Sequence, residues 1–415
     1  METSGTTSER GHPRYRWVVM GIYLATTATV LLPLTHAIGV LLPDMVRDLK
    51  MTPLQAGFLG SLTWLALFLL SIPFSLWLAR YSPKLVILLA LVGSGLFALW
   101  QGLADSYNLL LLGRWFFVVL MVTRLTSVTL VKLQWFPLRE MGTINGLEAM
   151  VSPVAQTLGL AFIPFLIEVS GGWRPVFFIF AGGLFLFALL WMLLGRDRIT
   201  PEYQRRIASQ GKASWRSALR YSEPWLMGLG DLGHATTWMG FMVFWPTFLI
   251  EYRDLPLTTA GFFMSLFSVG ATISSFGSGY ASDRLGLRKP FIWLPGLLLP
   301  GGYLAMITVA NLPLLGVVAF VTGLLAYGYW AAMLTVPFEL PKATPHDIMM
   351  VRGVLTTVST MGGIIGGPLV GGLFQATGSL HTAMALSCFF PFTLVLVSLR
   401  LRETGWRRRQ VPRVE

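Results

Sequence analysis

Of the 415 residues, 54% are apolar and only 12% are charged, with a net charge of +12 and a mean hydropathy of +0.66. A soluble globular chain carries about 25% charged residues, so this one lacks the polar coat that water requires and must face lipid over most of its surface. The one cysteine, Cys388, excludes an intramolecular disulfide and reads as a small buried hydrophobe.

Twelve apolar stretches follow in chain order, at 17–42, 54–79, 85–104, 109–134, 144–167, 173–195, 224–250, 257–281, 290–309, 313–336, 350–374 and 380–400. A helix of about 20 residues crosses the roughly 30 Å of hydrocarbon in a bilayer. The runs are continuously apolar, as from Leu184 to Leu194, where barrel strands would alternate. The expected fold class is an all-α membrane protein with twelve transmembrane helices. The first stretch exceeds a signal-peptide core and no small-residue cleavage site follows it, so it is expected to be retained.

Charge sets the expected orientation. With the N-terminus inside, about 25 of the 31 Lys and Arg fall on the inner side, leaving Arg47, Lys50, Arg174 and Arg253 in outer loops. Both termini are then cytoplasmic, in a cell (inner or plasma) membrane. The basic clusters from Arg196 to Arg220 and from Arg400 to Arg413 read as orientation and attraction to anionic headgroups, about 1 kcal/mol per residue near the surface. No aromatic-interleaved basic fold accompanies them, so nucleic acid is not expected as a partner.

Self-similarity recurs at an offset of about 203 to 207 residues: Pro43 with Ala56-Gly57-Phe58 matches Pro246 with Ala260-Gly261-Phe262, and Val151-Ser152 matches Val358-Ser359. Six spans separate the copies, which therefore share one orientation, a parallel repeat about an axis along the membrane normal. The division read from this is an N-terminal six-helix bundle (1–195), a cytoplasmic linker (196–222), a C-terminal six-helix bundle (223–402) and a basic tail (403–415). Such halves leave a seam in which a substrate site is expected.

The loop after the eighth stretch reads Gly279-Tyr280-Ala281-Ser282-Asp283-Arg284-Leu285-Gly286-Leu287-Arg288-Lys289. It resembles the loop signature G-x-x-x-D-R-x-G-x-R-K of the major facilitator superfamily. In the equivalent first-half loop Arg80 and Lys84 remain, but Ala79 stands for the Asp and Ser82 for the second Gly. The resemblance implies a secondary transporter working by alternating access, with Gly279, Asp283, Arg284, Gly286, Arg288 and Arg80 in an inner gate. Gly113-Arg114 is similar to the family's span-four arginine motif, with Val118 where a glycine is expected. Trp135-Phe136-Pro137, Glu140, Gly142 and Asn145-Gly146 resemble the loop between spans four and five of anion-handling porters, namely the nitrate/nitrite and organic anion:cation symporter families. The fifth stretch lacks the proton-antiporter signature of drug exporters, and Gly362 to Gly372 reads as helix packing.

The resemblance implies that spans one, four, seven and ten line the cavity. An ionisable group within a span costs about 2.5–3.5 kcal/mol on insertion scales and usually faces a bundle interior or wet cavity. Arg124, in the fourth, offers a planar fork of donors suited to an oxyanion; it reads either as substrate anchor or as ion-pair partner of Glu148. His234, His36, Tyr327 and Trp330 are further candidates for the substrate wall, with packing roles as the plainer alternatives. Asp231 and Glu148 are the acids that could carry a coupling proton, although Asp231 falls close enough to the inner end to be simply hydrated. Arg352 reads as snorkelling to the inner surface.

No metal set, nucleotide loop or nucleophile arrangement is present, so neither a cofactor nor an enzymatic activity is expected. The reading is a permease for a small organic or inorganic anion, driven by a coupling ion, expected to be H+, and acting as a monomer in the lipid bilayer. An exporter of amphipathic compounds and a non-transporting membrane sensor or scaffold are the alternatives.

Overall fold

A computed structural model describes residues 15–31, 37–78, 81–136, 141–197, 222–339 and 345–404. Among them are fourteen α-helices and no strand. The N-terminal half holds α1 (Tyr15–Leu31), α2 (Ala37–Leu49), α3 (Pro53–Leu78), α4 (Pro83–Leu103), α5 (Tyr107–Trp135), α6 (Met141–Ser170) and α7 (Trp173–Leu194). The C-terminal half holds α8 (Glu223–Thr247), which runs into a π-helical turn (Phe248–Tyr252), then α9 (Leu257–Leu285), α10 (Pro290–Thr308), α11 (Leu312–Glu339), α12 (Pro345–Thr377), α13 (Leu380–Ser387) and α14 (Phe392–Arg400).

The twelve expected stretches each coincide with helix. α1 and α2 share the first and α13 and α14 the last, while α2 runs on to Leu49, past the expected end at residue 42. Nine segments among the described residues are long and apolar enough to cross a membrane. Large apolar side chains stand on the outside of the bundle, with Val169 and Leu399 each 70% exposed. Such a surface is stable only against lipid.

The repeat is visible in the packing. α4 lies against α5 and α7, and α3 against α5; in the second half α10 lies against α11 and α14, and α9 against α11. The halves meet where α12 packs on α3, α9 on α6 and α2 on α8. Glycine makes these approaches possible, because a missing Cβ lets backbones touch. Along α12, Gly362 and Gly366 face the Leu232 and Thr236 carbonyls of α8, whereas Gly363, Gly367 and Gly371 face the Trp64 ring, Gly57 and Pro53 of α3. The glycine-rich stretch thus packs on two faces at once, its own half on one side and the other half on the second. Gly39 against Met242 and Pro246, and Gly261 against Leu160 and Pro164, extend the seam.

These contacts gather towards one membrane face, the one carrying the 50–53 and 253–257 turns, and ion pairs reinforce it. Arg47 reaches Glu251 of the other half at 3.1 Å. Arg174 pairs with Asp48, and Arg253 donates to the carbonyls of Ile307 and Val309, both at 2.7 Å.

At the opposite face each half closes its loop by the same device. Gly286 ends α9 in the left-handed region (φ 63°), a conformation glycine adopts without strain. Arg288 then forks onto Glu339 at the end of α11, with Nη2 at 2.8 Å. Glu403, just past α14, accepts from the backbone N–H groups of Arg288 and Lys289 at 2.7 and 3.0 Å, capping α10. In the first half Asp197, just past α7, accepts from the Lys84 N–H at 3.1 Å and from the Ser82 hydroxyl. An acid at a helix N-terminus satisfies orphan donors and faces the positive end of the dipole. Ser82 itself caps α4 through the Leu85 N–H, which explains a serine where the second-half loop has its turn glycine.

Candidate functional site

Arg124 projects from the middle of α5 and is fully buried. Its Nη1 donates to the hydroxyls of Thr26 and Thr27 on α1, at 3.2 and 3.3 Å. Both threonines donate their own protons back to the Tyr23 carbonyl one turn earlier, at 2.7 and 2.9 Å, so their lone pairs are free to receive the guanidinium. Span one therefore holds the cation with neutral oxygens, and Ser127, one turn along α5, is also fully buried. Arg114, 0% exposed, lies higher on α5, where Nη2 reaches Thr63 at 3.4 Å and the guanidinium sits 5.7 Å from the Phe117 ring.

A second polar group forms within the C-terminal half. Asp231 and His234, three residues apart, share one face of α8. The Tyr329 hydroxyl, from α11, bonds to Asp231 and lies 2.6 Å from Nδ1 of His234. Nε2 of His234 lies 3.1 Å from the Tyr303 hydroxyl of α10. Asp231 is 5% exposed, which speaks against the alternative of simple hydration: α11 and α12 cover a carboxylate that its place in the sequence puts near the helix start.

One turn beyond His234 an aromatic group spans the seam. Trp238 packs edge-to-face on Trp64 of the other half, with centroids 5.9 Å apart, and on Tyr327 at 6.4 Å. Tyr327 lies within electrostatic range of Asp231, which joins this wall to the polar group. Trp330 packs at 6.4 Å against Tyr329. Among the described residues the buried Trp238 indole nitrogen has no hydrogen-bond partner.

Of the residues singled out from sequence, Asp231, His234, Tyr327 and Trp330 come together around α8 and α11, while Arg124 stands on the N-terminal side against α1. His36 and Arg80 lie outside the described residues, as do the side chains of Glu148, Asp283 and Arg352. Among the loop residues a Cβ added at Gly279 would just touch Ala331, Arg284 is exposed, and Gly286 and Arg288 close the turn as described above. Thr26, Thr27, Trp64, Trp238, Tyr303 and Tyr329 were not anticipated. The adjacent hydroxyls of Thr26-Thr27 and the tyrosines at Tyr303 and Tyr329 were the available signals, each weak alone because hydroxyls within a helix commonly satisfy themselves on the preceding turn.

Two apolar grooves lie on the outside of the described helices. One of about 540 Å³ between α9 and α11 is walled by Phe262, Leu266, Gly316, Val317 and Phe320. Its repeat counterpart, about 340 Å³ between α3 and α5, is walled by Phe58, Leu62, Leu112 and Trp115. Both are apolar and carry exposed side chains such as Phe262 and Val317, so they face acyl chains. Among the described residues no group of three metal-ligating side chains is placed to hold an ion.

The profile of the Major Facilitator Superfamily matches residues 17–230 and again 227–415. The nitrite extrusion protein of Bacillus subtilis (strain 168) is 24% identical over 367 residues, covering 87% of this chain and 88% of its own. The enterobactin exporter EntS of Salmonella typhi is 26% identical over 402 residues, covering 94% and 92%. In fold, a bacterial homologue of the human lysosomal transporter Spinster, inward-facing and occupied, superposes with a TM-score of 0.77 at 20% identity, covering 94% of this chain and 96% of its own. The nucleoside transporter NupG superposes with a TM-score of 0.73 at 14% identity, covering 92% and 99%.

Proposed function

The chain belongs to the major facilitator superfamily, a family of multi-pass membrane transporters rather than enzymes, and from that premise we propose that it carries a small anion across the membrane by alternating access, coupled to protons. The observation that carries the reading is Arg124: a guanidinium fully buried at mid-membrane, held by the hydroxyls of span one. A planar fork of donors at that depth suits a carboxylate, nitrite or similar oxyanion, and the likeness to a nitrite extrusion protein supports the same class.

Coupling falls to Asp231, the buried acid on α8. Glu148, on α6, remains the second candidate. The bundles 1–195 and 223–402, joined by the 196–222 linker, rock as units about the seam. The contacts described between them lie at the face with the sparse basic loops, which the distribution of Lys and Arg makes the outer one; the cavity then opens inward, with both termini cytoplasmic. The loop from Gly279 to Lys289, with its first-half counterpart around Arg80, forms the inner gate of the other state.

A second reading has one observation in its favour. Trp64, Trp238 and Tyr327 put three rings on the seam, which suits the aromatic part of a larger exported compound, and the likeness to enterobactin exporters points the same way.

The test is flux in sealed vesicles with nitrite, nitrate, formate and benzoate as probes. Arg124→Ala is expected to abolish the flux that wild type shows while the protein still folds and inserts. Asp231→Asn is expected to keep anion exchange down a gradient and lose accumulation driven by an imposed pH difference. Undiminished flux in Arg124→Ala removes that residue from the site, and benzoate carried in preference to nitrite favours the second reading.

A further inference from the structure

We propose that Tyr303, His234, Tyr329 and Asp231 form a proton relay inside the C-terminal half, in which the proton on Asp231 and the tautomer of His234 change together. The inference deepens the proton-coupled reading above and rests on it.

A tyrosine hydroxyl has a single proton, and a neutral imidazole has one donor nitrogen and one acceptor. Tyr329 donates to Asp231, so its contact of 2.6 Å with His234 must be a bond it accepts, from Nδ1–H. Nε2 is then the acceptor, and the Tyr303 hydroxyl at 3.1 Å donates to it. All three bonds point one way, from Tyr303 to the carboxylate. With the proton on Asp231 the same four groups satisfy one another in reverse: the acid donates to Tyr329, Tyr329 to Nδ1, and Nε2–H to Tyr303.

One proton converts the first arrangement into the second. It arrives at the Tyr303 oxygen as that hydroxyl's own proton moves to Nε2; Nδ1–H passes to the Tyr329 oxygen, and the Tyr329 proton passes to Asp231. Each intermediate group returns to neutral, and the carboxylate gains the charge that entered. The groups lie at different depths. Tyr303 is thirteen residues into α10 and Asp231 eight into α8, about 20 and 12 Å from helix starts on the same membrane face, so the relay runs along the membrane normal rather than across it. Among the described residues the other titratable groups facing it are Tyr327 on α11 and Cys388 between α13 and α14. Tyr329 and Tyr303 thereby acquire a role in proton transfer, and His234 is turned to the relay rather than to the substrate.

The test needs no transported solute. The full chain, with isotope-labelled histidine nitrogens, is placed in lipid and the ring tautomers are read by NMR across pH, the His234 signals being assigned by their loss in His234→Gln. Infrared spectra follow the Asp231 carboxyl by its loss in Asp231→Asn. In wild type, His234 is expected to pass from Nδ1–H to Nε2–H as the carboxyl takes up its proton. In Asp231→Asn it should stay in one tautomer at every pH, and in Tyr329→Phe the carboxyl should titrate with no answering change in the ring. A doubly protonated ring beside an ionised Asp231, or a tautomer constant through the carboxyl titration, overturns the relay. Wild type and Asp231→Asn decide the matter even where Tyr329→Phe fails to fold. Loss of pH-driven accumulation in vesicles speaks to coupling as a whole, so a failed relay and a failed coupling are told apart.

Discussion

Gly57 and Gly367 sit face to face across the seam, and a Cβ on either would fall against the carbonyl oxygen of the other. Those are backbone atoms and cannot swing aside as a side chain does. Gly367→Ala therefore forces α3 and α12 apart by roughly 1 Å to restore ordinary van der Waals separation, and overpacking of this kind costs about 1–3 kcal/mol. On the alternating-access account the contact exists only while the outer side is closed, so the cost falls on one state alone. A bias of that size shifts the ratio of states about 5–150-fold. The assay is a spin-label distance measurement between Val169 and Leu312, exposed residues of opposite halves near the face proposed as outer, with Cys388 replaced by alanine. Gly367→Ala is expected to add a longer-distance population that wild type lacks. Gly353→Ala, on the same helix with nothing within 4 Å of the added carbon, is expected to leave the distances unchanged and to favour the helix by about 1 kcal/mol. A folded Gly367→Ala with wild-type distances would refute the idea that this contact belongs to a closed outer gate.

Two further predictions concern the loops. Glu403→Ala removes the acceptor for two N–H groups at the start of α10 and should cost about 1 kcal/mol, read as a lower Tm in detergent, with Glu403→Gln intermediate because it keeps an acceptor without the charge. Arg288→Lys retains a cation but not the fork that Nε and Nη2 make on Glu339. It is expected to lower Tm nearly as much as Arg288→Ala, and equal stability of Arg288→Lys and wild type would show that charge alone matters there.

Helices and loops were legible in the sequence because length, apolarity and basic loops each report a solvent boundary. The packing role of Gly362 to Gly372 was legible for a related reason: small residues at helical spacing within a span have few uses other than close approach. Arg124 stood out because a guanidinium within a span is costly, whereas its partners Thr26 and Thr27 did not, since a hydroxyl on a helix is unremarkable until a cation faces it. The surroundings of His234 were hidden by distance along the chain: its two tyrosines lie 69 and 95 residues away, on helices whose rotation no single sequence specifies. At Asp231 the eight residues of helix before it leave hydration open, and the cover that closes it off comes from α11 and α12. The paired caps, Asp197 and Glu403, read as ordinary polar flanks, and only the fold brings each back to the start of a helix more than a hundred residues earlier.

Transport of the proposed kind needs a pocket beside Arg124 that binds anions and opens to one side at a time. Its most direct test is a cysteine placed at Thr27, a neighbour of that guanidinium, in a Cys388→Ala background. Labelling in oriented vesicles with a thiol reagent that cannot cross the bilayer is expected from the inner face, with a protein locked outer-closed, and should slow when the transported anion is added. A Thr27→Cys protein that labels from neither face, or labels at one rate whatever anion is present, would contradict it.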